Sequence, residues 1–455
     1  MVEKKFTRRS FLTASLGISA AMMLAACAPK ATPTSAPKQE ATKAPEQPTA
    51  KPAEKKAMEI HFLVRADIKT AYGVPPQVDK WNAENPSSKV TVDEPAGDVA
   101  TKVQAAQAAG DLIWDGFAVM ETPWATVEWV KRGIIAPLDE FISASTIKDA
   151  NKVVSGMIPT VKEAASYQGK LWGIPGNVGS VALAWFWEPL RAAGYEQQPE
   201  TWDEVHDCAK KMKAAKPELT PYAFVSENLT GLYAMIWGAK DEPCDAEGLV
   251  DIRSAESIAA LKWMRTMVEE ELLPPTTNEQ WANWLKGGIA LINCFDVAGT
   301  MAQQTFGMDK ADTGINFFPE KGKTHGGTPF WMNSNVLFNK AKNPQGMVDF
   351  YLWWFNPNNK ENGKQITEVA AKPCYQYNYD EFVKGKPAFE WEQKGIDLVA
   401  KSKWFPVNTY WGIEAGKVTP YVQKCLDLNQ KFEPEANMEA CYKEIKDEIA
   451  KQVIG

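Results

Sequence analysis

Eighteen tryptophans stand in this chain of 455 residues. Indole offers a wide, flat apolar face together with one N–H donor. Such plates, combined with carboxylates and amides around a rim, suit ligands with flat C–H faces edged by hydroxyl groups. Most of the tryptophans read as core. Trp185 and Trp187 share a β-type segment with Leu183, Trp263 shares a helical face with Leu261 and Met267, and Trp353 and Trp354 lie in the apolar run 350–355. Other candidates stand in polar settings. Asp67 follows the first apolar segment, Glu121 and Trp124 follow the third, and Glu227 follows the segment 222–225. In α/β sheets, ligands gather at such carboxyl ends of strands. Other chemistry finds little support. His61, His206 and His325 are too scattered for a triad or a zinc site, and no Cys-x-x-Cys occurs. No spacing isolates the carboxylate pair that glycoside hydrolysis needs. No cofactor and no metal is expected.

The elements that must position these residues follow from periodicity. Residues 58–65 alternate Ile60, Phe62 and Val64 against Glu59, His61 and Leu63, a strand pattern. A helix is expected over 71–84, stopped by Asn85-Pro86, then a strand over 89–93. An alanine-rich helix over 98–109 ends at Gly110. A third strand, 112–120, leads to a helix over 123–132 with Gly133 as its stop. This alternation implies crossover units and a mainly parallel sheet covered by helices. Further strands are expected at 171–175, 181–187, 289–293 and 335–339. Thr201 and Glu204 fit a capping box opening a helix over 202–215. Ser254 caps another helix, and from 344 onward the chain reads mostly helical, ending in an amphipathic helix from 434 to 453.

The first 26 residues read as an export signal. Lys4, Lys5, Arg8 and Arg9 precede an apolar run, 11–26, that is shorter than the ~20 residues a membrane-crossing helix needs. Thr7-Arg8-Arg9-Ser10-Phe11-Leu12 resembles a twin-arginine signal. Leu24-Ala25-Ala26-Cys27 resembles the bacterial lipobox, which implies lipidation of Cys27. Residues 28–57 hold six prolines and no large apolar side chain, so they are expected to form a disordered tether, with the lipid as the only membrane attachment. Beyond residue 26 there are 46 basic and 56 acidic residues, a net charge of −10. That excludes nucleic acid and anionic membrane surfaces as electrostatic partners. About 400 residues are too many for one core of ordinary size, so two lobes are expected. Six cysteines follow Cys27. Cys425 and Cys441, on neighbouring predicted helices, are the most plausible disulfide, and six buried free thiols are the alternative.

Five segments in order resemble the bacterial extracellular solute-binding proteins of ABC importers, of the maltose-binding and glycerol-phosphate-binding type. They are Trp81-Asn82-Ala83-Glu84-Asn85-Pro86 with Val90-Thr91-Val92, Gly133-Ile134-Ile135-Ala136-Pro137-Leu138-Asp139, Gly169-Lys170-Leu171-Trp172-Gly173-Ile174-Pro175, Pro199-Glu200-Thr201-Trp202-Asp203-Glu204, and Trp284-Leu285-Lys286-Gly287-Gly288-Ile289-Ala290-Leu291. The order and spacing hold from about 59 to 453. One departure is Leu112-Ile113-Trp114-Asp115, where the family often carries Pro-Asp-Val.

The resemblance implies an α/β, two-lobed periplasmic-binding-protein-like fold of type II, with the ligand cleft between lobes joined by a multi-strand hinge. It implies a first lobe of 58–178 plus 295–330 and a second of 179–294 plus 331–455. Crossings fall near 176–180, 293–297 and 328–335, which adds Asn177, Asn293, Asp296, Trp331 and Asn333 (with Asn335 beside it) to the candidates. Trp411 falls where the maltose-binding type carries a stacking aromatic, whereas Gly179 stands at a position that carries a carboxylate there. The implied role is a lipid-anchored, monomeric, extracytoplasmic receptor that delivers a carbohydrate to an ABC permease. An anchored carbohydrate-active enzyme and a receptor presenting its ligand to a sensor kinase are the alternatives.

Overall fold

The computed structural model describes residues 58–65, 69, 73–95, 99–122, 124–224, 229–240, 242–275, 279–295, 312–317, 319–321, 329–368, 372–386, 389–401, 403–404 and 410–454. The signal segment, Cys27 and the tether lie outside them. Residues 55–455 form one compact unit.

The longer strands are β1 (Met58–Val64), β2 (Ser88–Asp93), β3 (Gly116–Thr122), β4 (Ile174–Phe186), β5 (Thr220–Phe224), β6 (Ile289–Phe295), β7 (Thr313–Phe317) and β8 (Pro329–Phe338). They join one sheet in the order β2-β1-β3-β8-β4-β6-β5, with β7 also on β4. β1 is parallel to β2 and β3, and β5 to β6. β8 is antiparallel to β3 and β4, and β4 to β6 and β7.

The helices that matter here are α1 (Val74–Glu84), α2 (Val99–Ala109), α3 (Trp124–Lys131), α4 (Trp202–Ala215), α5 (Leu229–Trp237), α6 (Ala255–Glu269), α7 (Pro344–Trp354), α8 (Glu390–Lys401), α9 (Trp411–Leu426) and α10 (Pro434–Ile454). The alternation of β1, α1, β2, α2, β3 and α3 matches the sequence pattern. β3 starts at Gly116, four residues later than expected. The reason is Asp115. It is buried, and its two carboxylate oxygens accept the backbone N–H groups of His61 and Asn343, each at 2.8 Å. The departure from the family pattern therefore ends in a clamp at the base of the sheet.

The motifs build this frame. Trp81 donates from Nε1 to the Ser88 carbonyl at 2.7 Å, and the Asn82 amide exchanges two hydrogen bonds with the Val90 backbone. The segment ending in Asp139 meets the one starting at Gly169. Leu171 N–H donates to Asp139 Oδ2 at 3.1 Å, and Leu138 N–H donates to the Leu171 carbonyl. This contact feeds the chain into β4. The expected capping box is present: Thr201 Oγ1 accepts from Glu204 N–H while Glu204 reaches back to Thr201 N–H. Ser254 likewise caps α6.

The apolar side chains gather into separate cores. One joins Phe62, Trp81, Phe330, Phe350 and Trp354. A second joins Leu183, Trp185, Trp202, Phe224, Trp237, Met264, Val422 and Cys441. A third, on the other face of the first sheet half, joins Phe117, Trp129, Trp172 and Phe338. Residues 331–355, which the resemblance assigns to the second lobe, join the first core, because β8 pairs with β3 and the α7 rings close around Phe62. Within 295–330, placed with the first lobe, β7 pairs with 182–186 of β4.

The expected strands at 171–175 and 181–187 are, for the most part, one strand. β4 runs unbroken for 13 residues, every one buried. Its first half pairs with β8 and its second with β6 and β7. Gly176, Asn177, Gly179 and Ser180 interrupt the apolar pattern, yet pairing with β8 carries the strand through them.

The expected Cys425–Cys441 bridge is also corrected. Both are free and fully buried, and the Cys425 thiol donates to the Leu261 carbonyl at 3.3 Å on a third helix, α6. Cys208, Cys244 and Cys374 are free as well.

Candidate functional site

β4 carries two faces. On one, Val181, Leu183 and Trp185 enter the second core. Followed back toward the first half of the strand, the same alternation reaches Gly179 and Asn177. The apolar lining of this face thus gives way to an amide and a glycine where the strand passes between cores.

Three candidates fall into one transverse row here. Glu121 of β3 is in register with Asn333 of β8, and Asn333 is in register with Asn177 of β4. The Asn333 amide donates from Nδ2 to Asn177 Oδ1 at 3.0 Å. Both residues are nearly buried, at 7% and 5% exposure. Two positions along β8, Trp331 is in register with Gly179. A register shift follows Asn333, after which Asn335 Nδ2 donates to the Ile174 carbonyl at 3.0 Å. The side chains of Glu121, Trp124 and Trp331 lie outside the described atoms, as do Asp67, Glu227 and Asp296 altogether.

Across the crossing, Asn293 of β6 pairs with Leu183 and with Phe224, the last residue of β5. It is 2% exposed, and neither amide atom has a hydrogen-bond partner. It stands near the carboxyl ends of two parallel strands, ahead of the start of α5 at Leu229. Elements of different cores approach each other here: α9 nears α3, and α5 nears β8.

Trp411, expected by resemblance to be a stacking aromatic, is packed at the edge of the second core. It opens α9, is 6% exposed, belongs to the second core and meets Tyr233 edge to face, with centroids 5.8 Å apart. Burial holds the Tyr233 phenol protonated, well above its ordinary range. One residue escaped the sequence reading: Glu414, a turn further on, is buried and accepts the Val250 N–H at 2.7 Å. Nothing in its surroundings in sequence marks it. Ser180, fully buried at the crossing, was legible only as a break in the apolar run.

Among the described side chains, the arrangement offers amides and backbone near strand ends. Among the described residues no three His, Cys, Asp or Glu side chains gather as metal ligands. Residues 68–361 match the family model for the bacterial extracellular solute-binding protein.

The chain belongs to this family.

Solute-binding proteins of solved structure share its two-lobed α/β fold, with the cleft between lobes. An ABC substrate-binding protein of Listeria monocytogenes, in complex with cycloalternan, is 18% identical with a TM-score of 0.69, covering 87% of this chain and 100% of that one. The sugar-binding protein MalE of Xanthomonas citri is 18% identical with a TM-score of 0.70, covering 87% and 98%. A solute-binding protein of Agrobacterium vitis with bound D-mannitol is 16% identical with a TM-score of 0.68, covering 87% and 99%. Binding proteins of Brucella abortus and Brucella suis are 21% identical over 198 residues, 43% of this chain. The match spans just under half of those relatives' length, 46%.

Proposed function

We propose that this solute-binding protein captures a carbohydrate between its lobes and delivers it to an ABC permease, without turning it over. The observation that carries the reading is the amide row of Asn177 and Asn333, held together at the crossing between cores. Amides donate and accept at once, as sugar hydroxyls do. The ligands of the Listeria and Agrobacterium proteins, cycloalternan and D-mannitol, support the same class. Glu121 and Trp331, in register with the pair and its neighbour Gly179, join the proposed site, as do Asn293, Trp124, Asp67, Glu227 and Asp296. Trp411 supports the site wall from the second core. The lobes meet along β4 and swing about it, and the closed form is what the permease reads.

Export by the twin-arginine route, lipidation at Cys27 and a monomeric state complete the proposal. Free thiols, buried at Cys208, Cys374, Cys425 and Cys441, fit export of an already folded chain, which passes its folding in a reducing compartment.

The test is a melting series on the full chain in mild detergent, followed by intrinsic tryptophan fluorescence. The panel is maltose, maltotetraose, D-mannitol, D-tagatose and glycerol 3-phosphate. A ligand at about 100 times its Kd adds ~2.7 kcal/mol to folding. A shift with one sugar class and no product on incubation is expected. No shift with any sugar, or formation of product, would overturn the reading.

A further inference from the structure

Asn293 is an anomaly in its surroundings. Its own face of β6 continues from Leu291, its register mates are Leu183 and Phe224, and all three belong to the second core. An amide set there without partners carries a desolvation penalty with nothing to offset it. Natural chains keep few such groups, and each calls for an account. An apolar residue of similar shape would serve the core better. What an amide adds is a donor and an acceptor on one planar group, near the carboxyl ends of β5 and β6 and beside the crossing strand.

We propose that Asn293 selects a neutral, hydroxyl-bearing ligand over an anion, its amide being satisfied by a ligand hydroxyl when the lobes swing about β4. The inference rests on the carbohydrate-receptor reading. It adds the chemistry by which this position discriminates. A hydroxyl donates to the amide oxygen and accepts from the amide nitrogen. A phosphate or carboxylate accepts only, and would meet the amide oxygen with a lone pair against a lone pair. A site that hydrogen-bonds a substrate hydroxyl rejects analogues lacking it more strongly than an apolar pocket rejects an added group. Stability and affinity then pull in opposite directions at this residue.

The experiment compares the wild-type full chain with Asn293→Leu and Asn293→Ser, in detergent, with and without whichever of maltose, maltotetraose, D-mannitol or D-tagatose binds the wild type. Without sugar, Asn293→Leu should melt higher by about 2 °C. Its affinity for that sugar should fall roughly tenfold or more. Asn293→Ser keeps a donor and an acceptor and should retain part of the affinity, which covers the case in which leucine does not fit. Sulfate, which only accepts, should not compete with the sugar on the wild type. A lower melting point for the leucine variant without sugar would overturn the proposal, since the amide would then be satisfied in the ligand-free protein. Unchanged affinity in both variants, or competition by sulfate, would overturn it too. If no sugar binds the wild type, the receptor reading itself has failed, and the ligand class assigned to Asn293 falls with it.

Discussion

Asn333 and Asn177 face each other from antiparallel strands in register, and the amide of the first donates to the amide of the second at 3.0 Å. Because β8 belongs to the first core and β4 serves two, this bond ties the crossing strand to the first sheet half. Removing one partner leaves the other nearly buried and underused. Asn177→Ala and Asn333→Ala should each cost about 1 kcal/mol, and the double variant should cost less than their sum. A double-mutant cycle in urea measures this. Strict additivity would mean that the pair does not act as a unit. Both single variants should also weaken sugar binding.

Trp411 should matter to stability before affinity. Its indole is packed against Tyr233 within the second core. Trp411→Ala should therefore cost about 3 kcal/mol of folding, read as a lowered melting temperature without any sugar present. An unchanged melting temperature with lost affinity would return it to the role of a stacking plate.

The thiols should be inert. Burial pushes Cys208, Cys425 and Cys441 up to about 12, and the thiolate is the reactive form. Iodoacetamide at pH 8 should label none of the three in the native protein and all three in denaturant. Mass spectrometry after alkylation checks both. A mass lower by one disulfide would show that Cys425 and Cys441 had closed.

Asp349 gives a pH dependence of known sign. Burial raises its carboxyl, against the lowering effect of hydrogen bonds from Ser145 and Gln345. A raised folded-state pKa means that the native chain holds the proton more tightly. The stability this proton confers is fully present below the unfolded value and is lost as pH rises through the folded value, above which the chain carries a buried charge at a cost. Asp349→Asn should raise the melting temperature at pH 7.5, by about 2 °C, and the gain should shrink as pH falls through the folded value. A gain that grows on acidification would reverse the assignment.

The crossover units of the first lobe were legible because Ile60, Phe62 and Val64, then Val90 and Val92, keep period two between well-marked helix ends. The capping box at Thr201 was legible because its geometry is local. β4 was not. Its Gly176, Asn177, Gly179 and Ser180 read as a break, and only the pairing with β8 carries the strand through them. The same holds for Cys425, whose partner turned out to be a carbonyl of α6, on a third helix. Asn177, Asn293 and Asn333 were found through resemblance, not through pattern. Their relation was invisible in sequence, since register across three strands depends on pairings more than 150 residues apart. The core that α7 joins was hidden for a related reason: its rings pack on Phe62, and no local signal records that choice.

β4 has a further consequence for the timing of amide exchange. Its first seven residues hydrogen-bond within one half of the sheet and the rest within the other, so no single core can open fully while this strand keeps its place. The slowest-exchanging amides of both lobes should then report one common opening event. Two bodies that move as separate shells around a ligand would share, on the scale of hours, a single clock.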